Sequence, residues 1–111
     1  MLILLYSQCR NDAQAARQAE ALKAALAGLL PHCHVRLSQP PERYWKIREY
    51  FGFHLELRGA GLEDYRLLIA SYPGNWWLCE DDYNPEAVWN AGEGPALLIP
   101  EARWAQLIPQ L

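Results

Sequence analysis

The sequence has few cysteines and no long apolar run, and these absences exclude several classes of protein. The three cysteines, Cys9, Cys33 and Cys79, are odd in number and widely spaced, so neither a disulfide framework nor a zinc-finger spacing is present. No segment reaches the roughly 20 apolar residues of a membrane-spanning helix. The apolar start, Met1–Leu5, lacks a preceding basic residue and is too short for a signal-peptide core. We therefore expect a cytoplasmic protein.

Internal repeats, linkers and low-complexity tracts are also absent, and 111 residues fit one domain better than two. Apolar residues make up 51% of the chain, which is enough for one hydrophobic core. Charged residues make up 21%, a proportion that does not favour disorder. We therefore predict a single domain over residues 1–111.

Positive charge is scarce in the second half of the chain. Residues 1–58 contain eight Lys and Arg against five Asp and Glu, a net charge of +3, whereas residues 59–111 contain two against eight, a net charge of −6. A nucleic-acid-binding protein needs a dominant basic face, which this distribution does not favour. The distribution fits a C-terminal half that meets a protein with a basic surface, although acidic side chains also serve simply to solvate a surface.

Apolar periodicity predicts alternating strands and helices, with Asn11 or Asp12 capping the first helix. The predicted strands span residues 2–6, 33–37, 65–71 and 95–99. The predicted helices span residues 12–30, 43–51, 85–89 and 101–108. Residues 53–58 alternate between apolar and polar, which fits either an edge strand or the frayed end of a helix. This order predicts an α/β fold in three layers, with a mainly parallel sheet of four to five strands and helices on both faces.

The segment Ser7–Asp12 links a predicted buried strand to a helix start, where backbone N–H groups favour an anion or a thiolate. Up to Leu30 and again over Leu62–Pro73, the chain resembles flavodoxin-like proteins. That resemblance implies a flavin phosphate beside Ser7. The segment departs from the pattern because it has no glycine and because Asp12 adds negative charge where the phosphate would lie.

The position of Cys9 resembles that of the reactive thiol in thioredoxin- and glutaredoxin-like proteins. Asp12 stands where those proteins have a second cysteine, and its carboxylate would raise the pKa of the thiol. A redox protein that uses the Ser7–Asp12 loop, with Cys9 as a possible thiol site, is therefore the alternative hypothesis. A third interpretation is that Cys9 fills a small gap near the helix start.

His32, Cys33 and His34 are consecutive residues of metal-binding types. On a strand, His32 and His34 point to one side and Cys33 to the other. Two ligands do not make a site, and the sequence contains no second cluster. We therefore expect no metal and no cofactor.

The most distinctive stretch combines aromatic and acidic residues between positions 72 and 89. Trp and Tyr contribute strongly to binding energy at protein interfaces, and acidic groups around them orient docking on a basic partner. Acid–base or Mg²⁺ chemistry at Glu80, Asp81 and Asp82 is an enzymatic alternative, but no basic or nucleophilic companion is evident. In a purely structural alternative, Trp76 and Trp77 hold a loop on the core. The expected partner contacts are Trp76, Trp77, Glu80, Asp81, Asp82, Tyr83, Glu86 and Trp89.

A small, acidic, Trp-rich chain without a catalytic signature resembles the immunity proteins of bacterial polymorphic toxins. The resemblance rests on the stretch Trp76–Tyr83 and on the acidic C-terminal half, and no family motif covers the chain. Immunity proteins bind a cognate toxin and often occupy its cationic active site. The resemblance therefore implies a cytosolic protein-binding function without catalysis.

Overall fold

A computed structural model describes residues 1–79, 81 and 83–109, and this part of the chain contains seven strands and two helices. The strands are β1 (Leu2–Gln8), β2 (His34–Leu37), β3 (Glu42–Arg43), β4 (Tyr50–Arg58), β5 (Trp76–Cys79), β6 (Glu86–Asn90) and β7 (Ala102–Ile108). The helices are α1 (Asp12–Leu29) and α2 (Leu62–Ser71). Neither of these helices is both long and apolar enough to cross a membrane.

The seven strands form one sheet in which every pairing is antiparallel. Six of them lie in the order β2-β4-β1-β7-β6-β5, and β3 lies outside this order. The short strand β3 pairs with the start of β4, on the side away from β1. The elements β1-α1-β2-β4-α2-β7 have the β-α-β-β-α-β topology of ferredoxin-like folds. The hairpin β5–β6 extends the sheet beyond β7, so that β5 lies at one edge and β2 at the other.

The fold-class prediction is therefore wrong. The chain is an α+β domain with an antiparallel sheet, not a three-layer α/β domain with a mainly parallel sheet. Residues 65–71, predicted as a buried strand, belong to α2, in which Tyr65 and Leu68 face the core at helical spacing. A continuous apolar run does not by itself distinguish a buried strand from a helix, and this ambiguity misplaced the segment.

Three segments predicted as helices, residues 43–51, 85–89 and 101–108, contain no helix and instead contribute to β3, β4, β6 and β7. The predicted strand at residues 95–99 contains no strand, and residues 97–99 form bends. The predictions for β1, α1 and β2 are confirmed within two residues at each end, and Asn11 is the residue that caps α1. Residues 53–58, which had two interpretations, lie inside the long strand β4.

One hydrophobic core lies between the helices and a single face of the sheet. Alternate side chains of the two central strands point into it, and these are Ile3, Leu5, Phe51, Phe53, Leu55 and Leu57. The buried residues of α1 and α2 belong to the same cluster. Both helices therefore cover one face, and no described helix covers the other face, which we call the open face.

A buried polar pair fixes α1 against β1. Ser7 and Gln18 are both buried, and the Ser7 hydroxyl donates a hydrogen bond to Gln18 Oε1. The Gln18 side-chain amide in turn donates to the main-chain carbonyl of Gln8 at 2.8 Å. Because each buried polar group has a partner, this contact fixes the position of the helix without the penalty of unsatisfied burial.

Candidate functional site

The strand β5 has no neighbour on its outer side among the described residues, because it ends the order of the sheet. Its inner side pairs with β6, where Trp77 lies opposite Val88 and Leu78 opposite Ala87. The sequence of β5, WWLC, contains neither the Lys nor the Pro with which natural edge strands discourage pairing. The outer N–H and C=O groups of β5 are therefore available to an added strand.

Two apolar side chains of β5 face solvent. Trp77 is 58% exposed and Leu78 is 42% exposed, and they project from opposite faces of the strand. Trp76 is half-buried, and its indole N–H donates to the Tyr72 carbonyl at 2.6 Å. Trp76 thus holds β5 on the core, as the structural interpretation of the sequence proposed, while Trp77 keeps most of its surface in water.

Among the described residues of the turn that follows β5, Asp81 and Tyr83 are exposed. Asp81 Oδ1 accepts hydrogen bonds from the backbone N–H groups of Tyr83 at 2.8 Å and Asn84 at 3.4 Å, which shapes the turn. Tyr83 is 85% exposed. Asp81 forms no ion pair with the described residues. We call Trp77, Leu78, Asp81 and Tyr83 the β5 surface.

The other expected contacts lie elsewhere. The structure places Trp89 in the core, at 1% exposure, and not at the surface where the sequence placed it. Glu86 is half-buried and accepts a hydrogen bond from the Gln106 side-chain amide at 3.0 Å. Glu80 and Asp82 lie outside the described residues.

The open face of the sheet carries an aromatic stack that the sequence did not reveal. Tyr6 on β1 lies opposite Gly52 on β4 and Trp104 on β7. The Tyr44 ring, from the segment between β3 and β4, stacks on Tyr6 at 4.5 Å between centroids, and the Trp104 ring is 5.5 Å from Tyr6 on the same measure. A Cβ at Gly52 would lie 2.9 Å from the Tyr6 ring, so glycine is the residue that admits the stack.

Trp77 is the last member of a row that crosses the open face. It lies opposite Val88, Val88 lies opposite Gln106, and Gln106 lies opposite Leu4 on the central strand. Val88 is half-buried, so apolar surface extends from Trp77 to the next strand, and the polar side chain of Gln106 separates it from Leu4.

The alternative site, the loop Ser7–Asp12, lies beside an open cleft of about 560 Å³. Cys9 is buried there, and its thiol donates to the Asn11 carbonyl at 3.3 Å. Burial raises the pKa of the Cys9 thiol, whereas a nucleophilic cysteine needs a lowered one. All three cysteines are free. The antiparallel sheet also differs from the mainly parallel sheet that the flavodoxin resemblance implied.

The sequence signal that could have revealed the open face is the alternation along β7. In this strand Ala105 and Leu107 are buried while Trp104 and Gln106 are half-buried, which is the pattern of a strand with one face on the core.

Comparisons with the models of known protein families, with curated proteins and with solved structures found no match.

Proposed function

We propose that this chain is a non-enzymatic binding protein whose β5 surface docks onto another protein. The observation that carries the proposal is the exposure of Trp77, Leu78 and Tyr83 beside Asp81, which forms no ion pair with the described residues, on a sheet edge without a described neighbour. Single exposed apolar side chains are ordinary, whereas neighbouring ones mark interaction sites. Covering them contributes about 25 cal/mol for each Å² of apolar area removed from water.

The edge favours a partner that adds a strand to the sheet. An added strand would form main-chain hydrogen bonds with the outer side of β5, and these bonds supply affinity without requiring a particular sequence. Trp77 and Leu78 project to opposite faces of β5, so each can enter a separate pocket on the partner. Aromatic anchors of this kind commonly carry most of the binding energy.

Charge favours a partner with a basic surface. Residues 59–111, which contain the β5 surface, carry a net charge of −6. Within that surface, Asp81 has no cationic partner among the described residues. Acidic groups beside an apolar contact accelerate association with a cationic protein and orient it, and salt screens the effect.

In its specific form, the proposal is that the partner is a bacterial toxin domain and that the chain is a cytoplasmic immunity protein. The small size, the acidic second half and the exposed indole of Trp77 support this form. A secreted toxin encoded beside the gene for this chain would supply the partner. The product of that neighbouring gene is therefore the first binding probe to purify.

The substitution Trp77→Ala should weaken binding to that probe at least about 30-fold, which corresponds to about 2 kcal/mol. The physical reason is the loss of a large aromatic anchor from the centre of the contact. Isothermal titration calorimetry measures the affinity. Trp45→Ala is the matched control, because Trp45 is 79% exposed but lies on the segment between β3 and β4, near the other edge of the sheet. Unchanged affinity with Trp77→Ala, or an equal loss with Trp45→Ala, would refute the assignment of the β5 surface.

The substitution Asp81→Asn should slow association with the same probe and leave the turn intact. Asparagine keeps the side-chain oxygen that accepts the Tyr83 N–H, so the change removes only the charge. We expect a several-fold lower association rate constant at low ionic strength and little difference at high ionic strength. Stopped-flow fluorescence measures the association rate constant at both ionic strengths. A rate that is independent of charge and salt would contradict the electrostatic part of the proposal.

A further inference from the structure

At the edge of the sheet opposite to β5, the fold brings together three side chains of metal-binding types. His32 and Cys33 lie in the turn between α1 and β2, and Asp64 lies in the first turn of α2. One ligand atom from each residue, an imidazole nitrogen, a thiol sulfur and a carboxylate oxygen, can be chosen so that all three lie within 4.8 Å of one another. No other such group of His, Cys, Asp and Glu side chains is found among the described residues.

The sequence argument against a metal site assumed that His32 and Cys33 lie on a strand, whereas the structure places them in a turn. The strand β2 begins only at His34. Before it, the Cys33 N–H donates to the Leu30 carbonyl at 3.0 Å, which continues the turn at the end of α1. The alternation of side chains along a strand therefore does not apply to His32 and Cys33, and both approach Asp64.

The position of Asp64 is fixed by contacts within the protein. Its Oδ2 accepts the Gly61 N–H at 2.8 Å, and its Oδ1 lies 2.8 Å from His32 Nε2. Gly59 has a φ of +83°, and a Cβ added there would lie 3.6 Å from the His32 carbonyl oxygen. A backbone hydrogen bond of this kind orients the carboxylate, as at established metal sites, so that Oδ1 faces His32.

The three donors match the preferences of Zn²⁺. This ion takes imidazole nitrogen, thiolate sulfur and carboxylate oxygen in tetrahedral geometry, with ligand atoms about 3.4–3.6 Å apart at ordinary bond lengths. Nε2 and Oδ1, which lie 2.8 Å apart, would separate by about 0.6 Å to admit the ion, and the thiol sulfur, which lies within 4.8 Å of a ligand atom of each residue, would move to its bonding distance. The thiolate makes Mg²⁺ and Ca²⁺ poor occupants. His32 is exposed, so solvent reaches the fourth position.

We propose that His32, Cys33 and Asp64 form a three-ligand Zn²⁺ site whose fourth position is taken by water. Binding forms bonds from the metal to Nε2, Sγ and Oδ1, the thiol proton leaves to solvent, and the proton that Nε2 shares with Asp64 moves to Nδ1 so that Nε2 can coordinate. The bound ion links the turn before β2 to the start of α2. Because β2 and β5 lie at opposite edges of the sheet, this site is independent of the β5 surface and of the function proposed for it.

The test uses tag-free, metal-free, reduced protein titrated with Co²⁺ as a spectroscopic substitute for Zn²⁺. We expect one equivalent of Co²⁺ to produce a thiolate-to-cobalt charge-transfer band and strong tetrahedral d–d bands, and Zn²⁺ to abolish both. Cys33→Ser should remove the charge-transfer band. His32→Gln and Asp64→Asn should each weaken Zn²⁺ affinity at least about tenfold.

Two control variants retain the proposed ligands. Cys79→Ser removes a half-buried thiol on β5, and His34→Ala removes the neighbouring imidazole, so both should bind like the parent chain. Zn²⁺ should raise the melting temperature of the parent and of both controls more than that of His32→Gln, whose exposed site tolerates substitution. A parent chain without a charge-transfer band, a band that survives Cys33→Ser, or a band lost in Cys79→Ser would each overturn the proposal.

Discussion

Trp89→Ala is expected to lower the free energy of unfolding by about 3–5 kcal/mol, as is usual when a buried tryptophan is truncated. Trp89 is 1% exposed on β6, with Trp76 and Ala105 opposite it on the two neighbouring strands. Ala105 and Ala102 are also buried, and these small side chains leave the volume that the indole occupies. The lost free energy has two parts, the transfer free energy of the deleted apolar atoms and the cost of the cavity that remains. Urea unfolding followed by circular dichroism measures it.

Trp77→Ala provides the matched comparison, because the two indoles lie on adjacent strands and differ in burial. Trp77 is 58% exposed, so its truncation should change the free energy of unfolding by no more than about 1 kcal/mol. Trp89→Phe keeps part of the volume and should cost less than Trp89→Ala. Equal destabilisation by Trp77→Ala and Trp89→Ala would contradict the assignment of Trp89 to the core and of Trp77 to the surface.

Phe53→Ala is expected to be similarly destabilising, by about 3–5 kcal/mol. Phe53 is fully buried at the centre of β4, where it lies opposite Leu5 on β1. Its ring contributes to the core between the sheet and the helices. The cavity left by alanine cannot close easily, because strands hold β4 on both sides. Thermal and urea unfolding of the purified variant measure the effect.

The neighbouring residue supplies the control for Phe53. His54 is half-buried and lies opposite Leu4 on the open face, so His54→Ala should cost about 1 kcal/mol or less. The contrast between adjacent residues is the signature of a strand with one face on the core. Comparable losses for Phe53→Ala and His54→Ala would contradict the placement of 53–58 in such a strand.

Local signals in the sequence were sufficient for α1. Asn11 accepts the Gln14 N–H at the start of this helix, and the apolar face contains Ala15, Leu22 and Leu26. Capping and helical spacing act over a few residues, so a single sequence contains the information that they need. The same holds for β1 as a strand, although it is fully buried on one face only, because Leu2 and Leu4 on the other face are half-buried.

The sheet could not be predicted because its pairings join distant parts of the chain. β1 was expected to lie among parallel strands, whereas β4 and β7 flank it in antiparallel register. A short apolar run is compatible with a helix or a strand until its neighbours are known, and this ambiguity affected residues 65–71 and 101–108.

The candidate sites also depend on contacts between distant parts of the chain, which the sequence alone does not reveal. Trp76, Trp77 and Trp89 were all expected to contact a partner, but Trp77 alone among them is exposed. Which indole is buried depends on what packs against it, and β6 places Trp89 on the helix-covered face. Asp64 approaches His32 and Cys33 because α2 packs beside the turn that precedes β2. The number of residues between them in the sequence does not predict this contact.

The central position of β1 has a consequence for the order in which the molecule folds. Its two neighbours, β4 and β7, come from the middle and the far end of the described chain, so large loops must close before the centre of the sheet exists. Chains dominated by such distant pairings reach the native state in about milliseconds to seconds, more slowly than helical bundles. The β5–β6 hairpin is local, so it can form before those loops close, and within the sheet it joins the other described strands through β7. Trp76 and Trp89, which lie on the core side of this hairpin in the native state, therefore stay exposed to other chains until the last strand docks.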